Sequence, residues 1–64
     1  MRDPAVALHR PDGSVIMIRP EHIGSRQPAG HFDAPGSKTV IMIDGRRQAV
    51  RESMEEIARL IREA

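Results

Sequence analysis

Two stretches of the chain consist of the same four apolar residues, Val-Ile-Met-Ile. They occupy positions 15–18 and 40–43, and a nearby glycine and serine precede each of them. Short runs that are rich in β-branched residues and bounded by turn formers predict strands rather than helix. Because successive side chains of a strand point to opposite faces, both faces of these two strands are predicted to be apolar.

Turn-forming residues predict that each apolar strand belongs to a β-hairpin. The sequence Pro-Asp-Gly at positions 11–13 fixes one φ angle with proline and supplies a positive φ with glycine, which predicts a hairpin over residues 5–19. Asp-Gly at positions 44–45 is typical of a type I′ turn and predicts a second hairpin over residues 39–50. We therefore expect an α+β domain, spanning residues 1–64, whose two hairpins form one four-stranded antiparallel sheet.

The C-terminal segment has the spacing of an amphipathic helix. Ser53 and Glu56 stand three residues apart, as in a capping box. Apolar residues then recur three and four positions apart, which predicts a single C-terminal helix over residues 54–63. We expect the two Val-Ile-Met-Ile strands to bury one face under three residues of this helix, Met54, Ile57 and Ile61.

The segment between the hairpins, residues 24–37, has the composition of a loop. It holds three glycines, two prolines and two serines. A loop of this length is uncommon in a compact domain and is frequently functional. Its one aromatic residue, Phe32, is either an anchor to the core or an exposed contact for a partner, and the sequence leaves both roles open.

Composition limits the functions that the chain can have. With 64 residues and no cysteine it has neither disulfides nor a cysteine-based zinc site. No apolar run approaches the ~20 residues of a transmembrane helix, and no export signal is recognisable, so we expect a cytoplasmic protein without a membrane span. Ten Lys and Arg residues against nine Asp and Glu residues do not make a polycation.

The residues that could carry chemistry have no catalytic or ligand-binding pattern. The three histidines, His9, His22 and His31, lack the spacing of a metal site. The serines are accounted for as turn and cap residues, and a chain this small has little room for a buried triad. We therefore expect a protein that is not an enzyme, with no cofactor and no catalytic or metal-binding residue.

The second apolar face of the predicted sheet needs a cover that one helix does not supply. Large exposed apolar patches are uncommon on monomers, so a second copy of the chain or another protein is the expected cover. The alternative is that the long loop or the N-terminal arm folds over this face. We expect a dimer or higher homo-oligomer, with Phe32, Met17 and Met42 as partner-binding residues.

Arginine supplies nine of the ten basic residues, and several arginines fall at or near predicted strand ends. As a phosphate-binding surface they would make the chain a dimeric RNA-binding regulator. As edge residues they would improve solubility and discourage further strand pairing. No aromatic residue on the predicted strands is present to stack on bases. The residues concerned are Arg10, Arg46, Arg47 and Arg51.

Four segments resemble the small FlbD-like family of flagellar and swarming-motility proteins. They are residues 8–13 (LHRPDG), 18–23 (IRPEHI), 39–46 (TVIMIDGR) and 50–56 (VRESMEE). The resemblance extends over nearly the whole chain, except that the loop before the second hairpin is several residues longer here. It implies a small cytoplasmic bacterial protein, associated with motility and without enzymatic activity.

The two ends of the chain also resemble the carbon-storage-regulator family of dimeric RNA-binding proteins. Residues 8–10 (LHR), 13–18 (GSVIMI) and 49–52 (AVRE) carry this similarity, whereas the middle strands of that family are not recognisable. The resemblance implies that Arg10 and Arg51 contact RNA.

Overall fold

The computed structural model describes residues 5–63 and shows a small α+β fold. Strands β1 and β2 form a two-stranded sheet, strands β3, β4 and β5 form a three-stranded sheet in that order, and one helix follows. All strand pairs are antiparallel. The elements are β1 (Val6–His9), β2 (Val15–Ile18), a 3-10 turn (Pro20–His22), β3 (Ile23–Pro28), β4 (Thr39–Ile43), β5 (Arg46–Val50) and α1 (Met54–Glu63).

The prediction of a single four-stranded sheet is wrong, because the two Val-Ile-Met-Ile strands lie in different sheets. The sequence predicts a loop over residues 24–37, but residues 24–28 belong to strand β3. This strand pairs with β4 from Ile23 opposite Ile43 to Pro28 opposite Thr39. It therefore takes the edge of β4 that the first hairpin would have needed, and the connecting loop shrinks to residues 29–38.

Both hairpins form with the turns that their sequences specify. In the first, the Gly13 N–H donates to the Arg10 carbonyl at 2.9 Å, and Gly13 has a φ of 96°. In the second, Asp44 and Gly45 have φ values of 51° and 80°, the two positive angles of a type I′ turn. The alternation of side chains along each strand is thereby fixed from the turn outward.

The hydrophobic core lies between the two sheets and the helix. One face of each sheet contributes to it, and the residues of the buried cluster are Val6, Leu8, Ile16, Ile18, Ile41, Val50 and Ile57. The sheets therefore cover each other's inner faces, whereas the sequence predicts that the helix alone covers them.

Helix α1 has the predicted bounds and the predicted cap. The Ser53 hydroxyl accepts the Glu56 N–H, and the Glu56 carboxylate accepts the Ser53 N–H, both at 3.1 Å. Ile57 is fully buried and Ile61 packs against the core, but Met54 is 40% exposed. The expectation for Met54 is wrong because this residue begins the helix, one turn before Ile57, and lines a surface groove beside Pro20.

The structure also bears on membrane insertion. Within residues 5–63, no helix is both long and apolar enough to cross a membrane.

Candidate interaction surface

The side of the first hairpin that faces away from the core is exposed, and three of its four residues are apolar. Burial alternates along β2, so that Ile16 and Ile18 enter the core while Val15 and Met17 remain 53% and 64% exposed. On β1, Ala7 lies opposite Met17 and His9 lies opposite Val15. Both of these residues are exposed. We call these four residues the outer hairpin face.

The outer edge of β2 in this hairpin has backbone groups that point outward, and the hydrogen bonds of His9 on β1 show which groups these are. The His9 N–H donates to Glu52 Oε1 at 2.9 Å, and the His9 carbonyl accepts the Arg51 N–H at 2.8 Å, so both groups point away from β2. Backbone direction alternates from residue to residue in an antiparallel pair. The N–H and C=O groups of Val15, opposite His9, and of Met17 therefore point away from β1, along the outer edge of β2. Among the described strands, β1 alone pairs with β2.

The other strand edges carry features that hinder pairing, whereas the edge of β2 carries none of them. Strand β3 has a register shift between Ile23 and Arg26 and ends in Pro28. Strand β5 begins with two arginines, and the edge of β1 bonds to residues 51 and 52. Bulges, prolines and charges are the usual devices that block edge pairing. Strand β2, with four uncharged apolar residues, is the unprotected edge of the described fold.

A buried carboxylate fastens the first hairpin to the rest of the fold. Glu52 is 9% exposed, and its carboxylate accepts a hydrogen bond from the backbone N–H of His9. Its Oε2 also lies 2.7 Å from His9 Nδ1. The two residues are 43 positions apart, and no local sequence signal connects them. This pair holds β1 beside the junction of β5 and α1, which leaves the outer hairpin face turned toward solvent.

The loop of residues 29–38 presents Phe32 to solvent. Asp33 orders the loop, since its Oδ2 accepts the Gly30 N–H at 2.7 Å and its Oδ1 accepts Arg47 Nη2 at 3.2 Å. The Phe32 side chain is fully exposed. Phe32 is therefore not an anchor to the core, and its role as a contact for a partner stays a prediction.

The same loop lies on the side of the sheet that carries the second apolar face of β4. Arg47 lies directly opposite Met42 in the ladder, so the bond from Asp33 to Arg47 places the loop on the Met42 side of the sheet. Val40, on that side, is buried, and Met42 is partly buried. The second face of β4 is therefore largely buried within the chain, whereas the outer face of β2 keeps Met17 exposed.

The four arginines of the RNA-binding alternative fall into two groups. Arg51 donates from Nε and Nη2 to the Pro11 carbonyl at 3.1 and 2.7 Å, and Arg10 Nη1 donates to Ser14 Oγ at 3.2 Å. Both therefore lie at the first hairpin turn. Arg46 and Arg47 lie at the opposite end of β5.

An aspartate shares the turn with Arg10 and Arg51. Asp12 Oδ1 accepts hydrogen bonds from the backbone N–H and the hydroxyl of Ser14, at 2.9 and 2.7 Å. These two bonds lower the pKa of Asp12, with a smaller contribution from the charges of Arg10 and Arg51. The turn consequently carries a carboxylate beside its two guanidinium groups.

The histidines and acidic residues of the described chain do not converge on a metal-binding geometry. Over residues 5–63, no three His, Asp or Glu side chains come together as a group that could hold an ion.

Comparison with known proteins yields no match to this chain among family models, curated proteins or solved structures.

Proposed function

We propose that the chain is a small non-enzymatic interaction module that works as a homo-oligomer. The observation that carries this proposal is the outer hairpin face, on which Val15 and Met17 are more than half exposed. Two adjacent large apolar side chains beside an unprotected strand edge favour contact with another protein surface over contact with water. A domain of this size buries only about 60% of its unfolded surface, so association would also add needed burial.

The presentation of Phe32 supports a second contact region. Aromatic residues are enriched among the residues that dominate binding energy at protein interfaces. Asp33 bonds to Gly30 and Arg47 and so restricts the loop that displays the ring. We propose Phe32 as the contact for a protein partner, in addition to the contacts between copies of the chain.

Light scattering on the full chain at tens of micromolar tests self-association. We expect the mass of a dimer or a higher oligomer, and a stable monomer would overturn the proposal.

Replacing Phe32 with Ala should leave the melting temperature unchanged, because the ring is fully exposed. Arg59→Ala, on the exposed side of α1, is the matched surface control.

The resemblance to FlbD-like proteins extends this proposal to bacterial motility. Its support is the order of four segments along the chain, from residues 8–13 to residues 50–56. In a bacterium that encodes the chain, deletion of the gene should reduce swimming or swarming, and Phe32→Ala should fail to restore it. Normal motility of the deletion strain would contradict this part of the proposal.

RNA binding is the second candidate, and the placement of Arg10 and Arg51 at one turn favours it. Phosphate contacts of this kind weaken steeply with salt. Retention on a random RNA pool at low salt, lost in the Arg10→Ala and Arg51→Ala variants but kept in Arg59→Ala, would support it. Absence of retention at low salt would exclude it.

A further inference from the structure

We infer that β2 pairs edge to edge with β2 of a second copy, in antiparallel orientation, so that two hairpins form one four-stranded sheet. This inference rests on the proposed self-association and specifies its geometry. The N–H and C=O groups of Val15 and Met17 are the pairing groups, because they point away from β1 along the β2 edge. They lie two residues apart, which is the spacing of the bonded positions along an antiparallel strand.

The chain itself shows how the same tetrapeptide behaves when it is paired on both sides. Val-Ile-Met-Ile forms most of β4, which lies between β3 and β5 and is bonded to both. In β2 the identical sequence has one neighbour, β1. A second neighbour on the outer edge would give β2 the central position that its sequence occupies in the other sheet.

A second copy is the occupant that fits this edge. In one antiparallel register, Val15 of each copy lies opposite Met17 of the other, and these two pairs exchange four backbone hydrogen bonds. Val15 and Met17 of both copies then adjoin on the same outer face, where cross-strand apolar pairs stabilise a sheet. Strand β2 contains no charge, so two copies of it do not repel one another.

A matched pair of substitutions at position 17 separates edge pairing from contact through side chains. Met17→Thr and Met17→Pro both remove the exposed methionine, but only proline also removes the N–H that points outward. Proline is tolerated in edge strands where its missing N–H would face solvent, so the β1–β2 ladder stays intact. We expect Met17→Pro to raise the dissociation constant of the dimer at least tenfold above that of Met17→Thr, as measured by sedimentation velocity, with equal circular dichroism spectra.

Amide hydrogen exchange on the unmodified chain provides a test that does not depend on the folding of a variant. Protection of the Val15 and Met17 amides should rise with protein concentration, because their partners lie in the second copy. The Ile16 and Ile18 amides, which point toward β1, should be protected at every concentration and serve as the internal control.

The outcomes distinguish failure of the inference from failure of the proposed function. If the chain associates while the Val15 and Met17 amides stay unprotected, edge pairing is wrong and self-association stands. If association is lost in Phe32→Ala and kept in Met17→Pro, the loop and not β2 forms the interface. A chain that is monomeric at all concentrations would overturn both.

Discussion

Thr39 is a buried residue with a polar side chain. It is fully buried at the start of β4, and its hydroxyl has no hydrogen-bond partner among the described residues. An unpaired buried hydroxyl costs roughly 1–3 kcal/mol. We expect Thr39→Val, which has nearly the same shape, to raise the free energy of unfolding by about 1 kcal/mol in urea denaturation.

The control for this substitution keeps the hydroxyl and removes the methyl group. Thr39→Ser should lower the free energy of unfolding, because it leaves a small cavity without satisfying the oxygen. Loss of stability in Thr39→Val by a similar amount would show that the hydroxyl has a partner in solution.

Glu52 joins the first hairpin to the end of β5 and the start of α1. Its carboxylate bonds to both the backbone and the ring of His9. Glu52→Ala should lower the free energy of unfolding by about 2–3 kcal/mol, since it leaves the His9 N–H without an acceptor. Urea denaturation at neutral pH measures this loss.

The matched variant at the other end of the pair is His9→Ala. It removes the ring contact but leaves the backbone N–H bonded to Glu52, so we expect the smaller loss of the two. The double variant should lose less unfolding free energy than the sum of the two single losses, because the residues share one interaction. Strict additivity would contradict the pairing.

The bonds of Glu56 in the capping box make the start of α1 sensitive to acid. The Ser53 backbone N–H, and secondarily its hydroxyl, lower the pKa of Glu56 in the folded chain. A carboxyl whose folded pKa is lowered stabilises the fold above its unfolded pKa, and this stabilisation disappears as pH falls through the folded value. We therefore expect stability to decline below about pH 4, close to the ordinary glutamate pKa.

Thermal unfolding from pH 7 to pH 2 measures this decline. Glu56→Gln keeps an acceptor for the Ser53 N–H but does not titrate, so its curve should fall less steeply in the acid range. Equal acid sensitivity in the variant and the unmodified chain would mean that other carboxylates, such as Asp12, determine the decline.

The elements that sequence predicts are those whose signals are local. The helix is specified by Ser53, Glu56 and the apolar spacing that follows, and the second hairpin by Asp-Gly at positions 44–45. Strand β3 has no such signal, because Ile23 is its only partly buried residue and the others are exposed. It is a strand because β4 offers it a partner, which is information that the segment itself does not contain.

In the candidate interaction surface, too, the features that sequence predicts are those with local signals. The exposure of Met17 follows from alternation along a strand whose apolar character is visible in the sequence. The bond between Asp33 and Arg47 does not, because it joins the loop to β5 across fourteen residues. The bond between His9 and Glu52 is equally invisible, since it requires both sheets to be in place.

At the scale of the whole molecule, the sequence correctly indicates more apolar strand surface than one helix can cover. Most of this apolar surface is buried inside the chain, because the two sheets share one core and Val40, on the other face of β4, is also buried. What remains exposed is concentrated on β2, at Val15 and Met17. The excess is therefore localised at a strand whose outer edge pairs with no other strand of the described residues.

If self-association supplies part of the stability of this fold, its melting temperature must depend on protein concentration. Unfolding enthalpy averages about 0.7 kcal/mol per residue, so a dimer of this chain should gain about 5 °C for each tenfold rise in concentration above its dissociation constant. Differential scanning calorimetry over two decades of concentration measures this slope. Met17→Pro should flatten it, because a monomer melts independently of concentration, while Arg59→Ala should preserve it. A flat response of the unmodified chain, in a range where light scattering shows a dimer, would mean that each copy folds without help from the other.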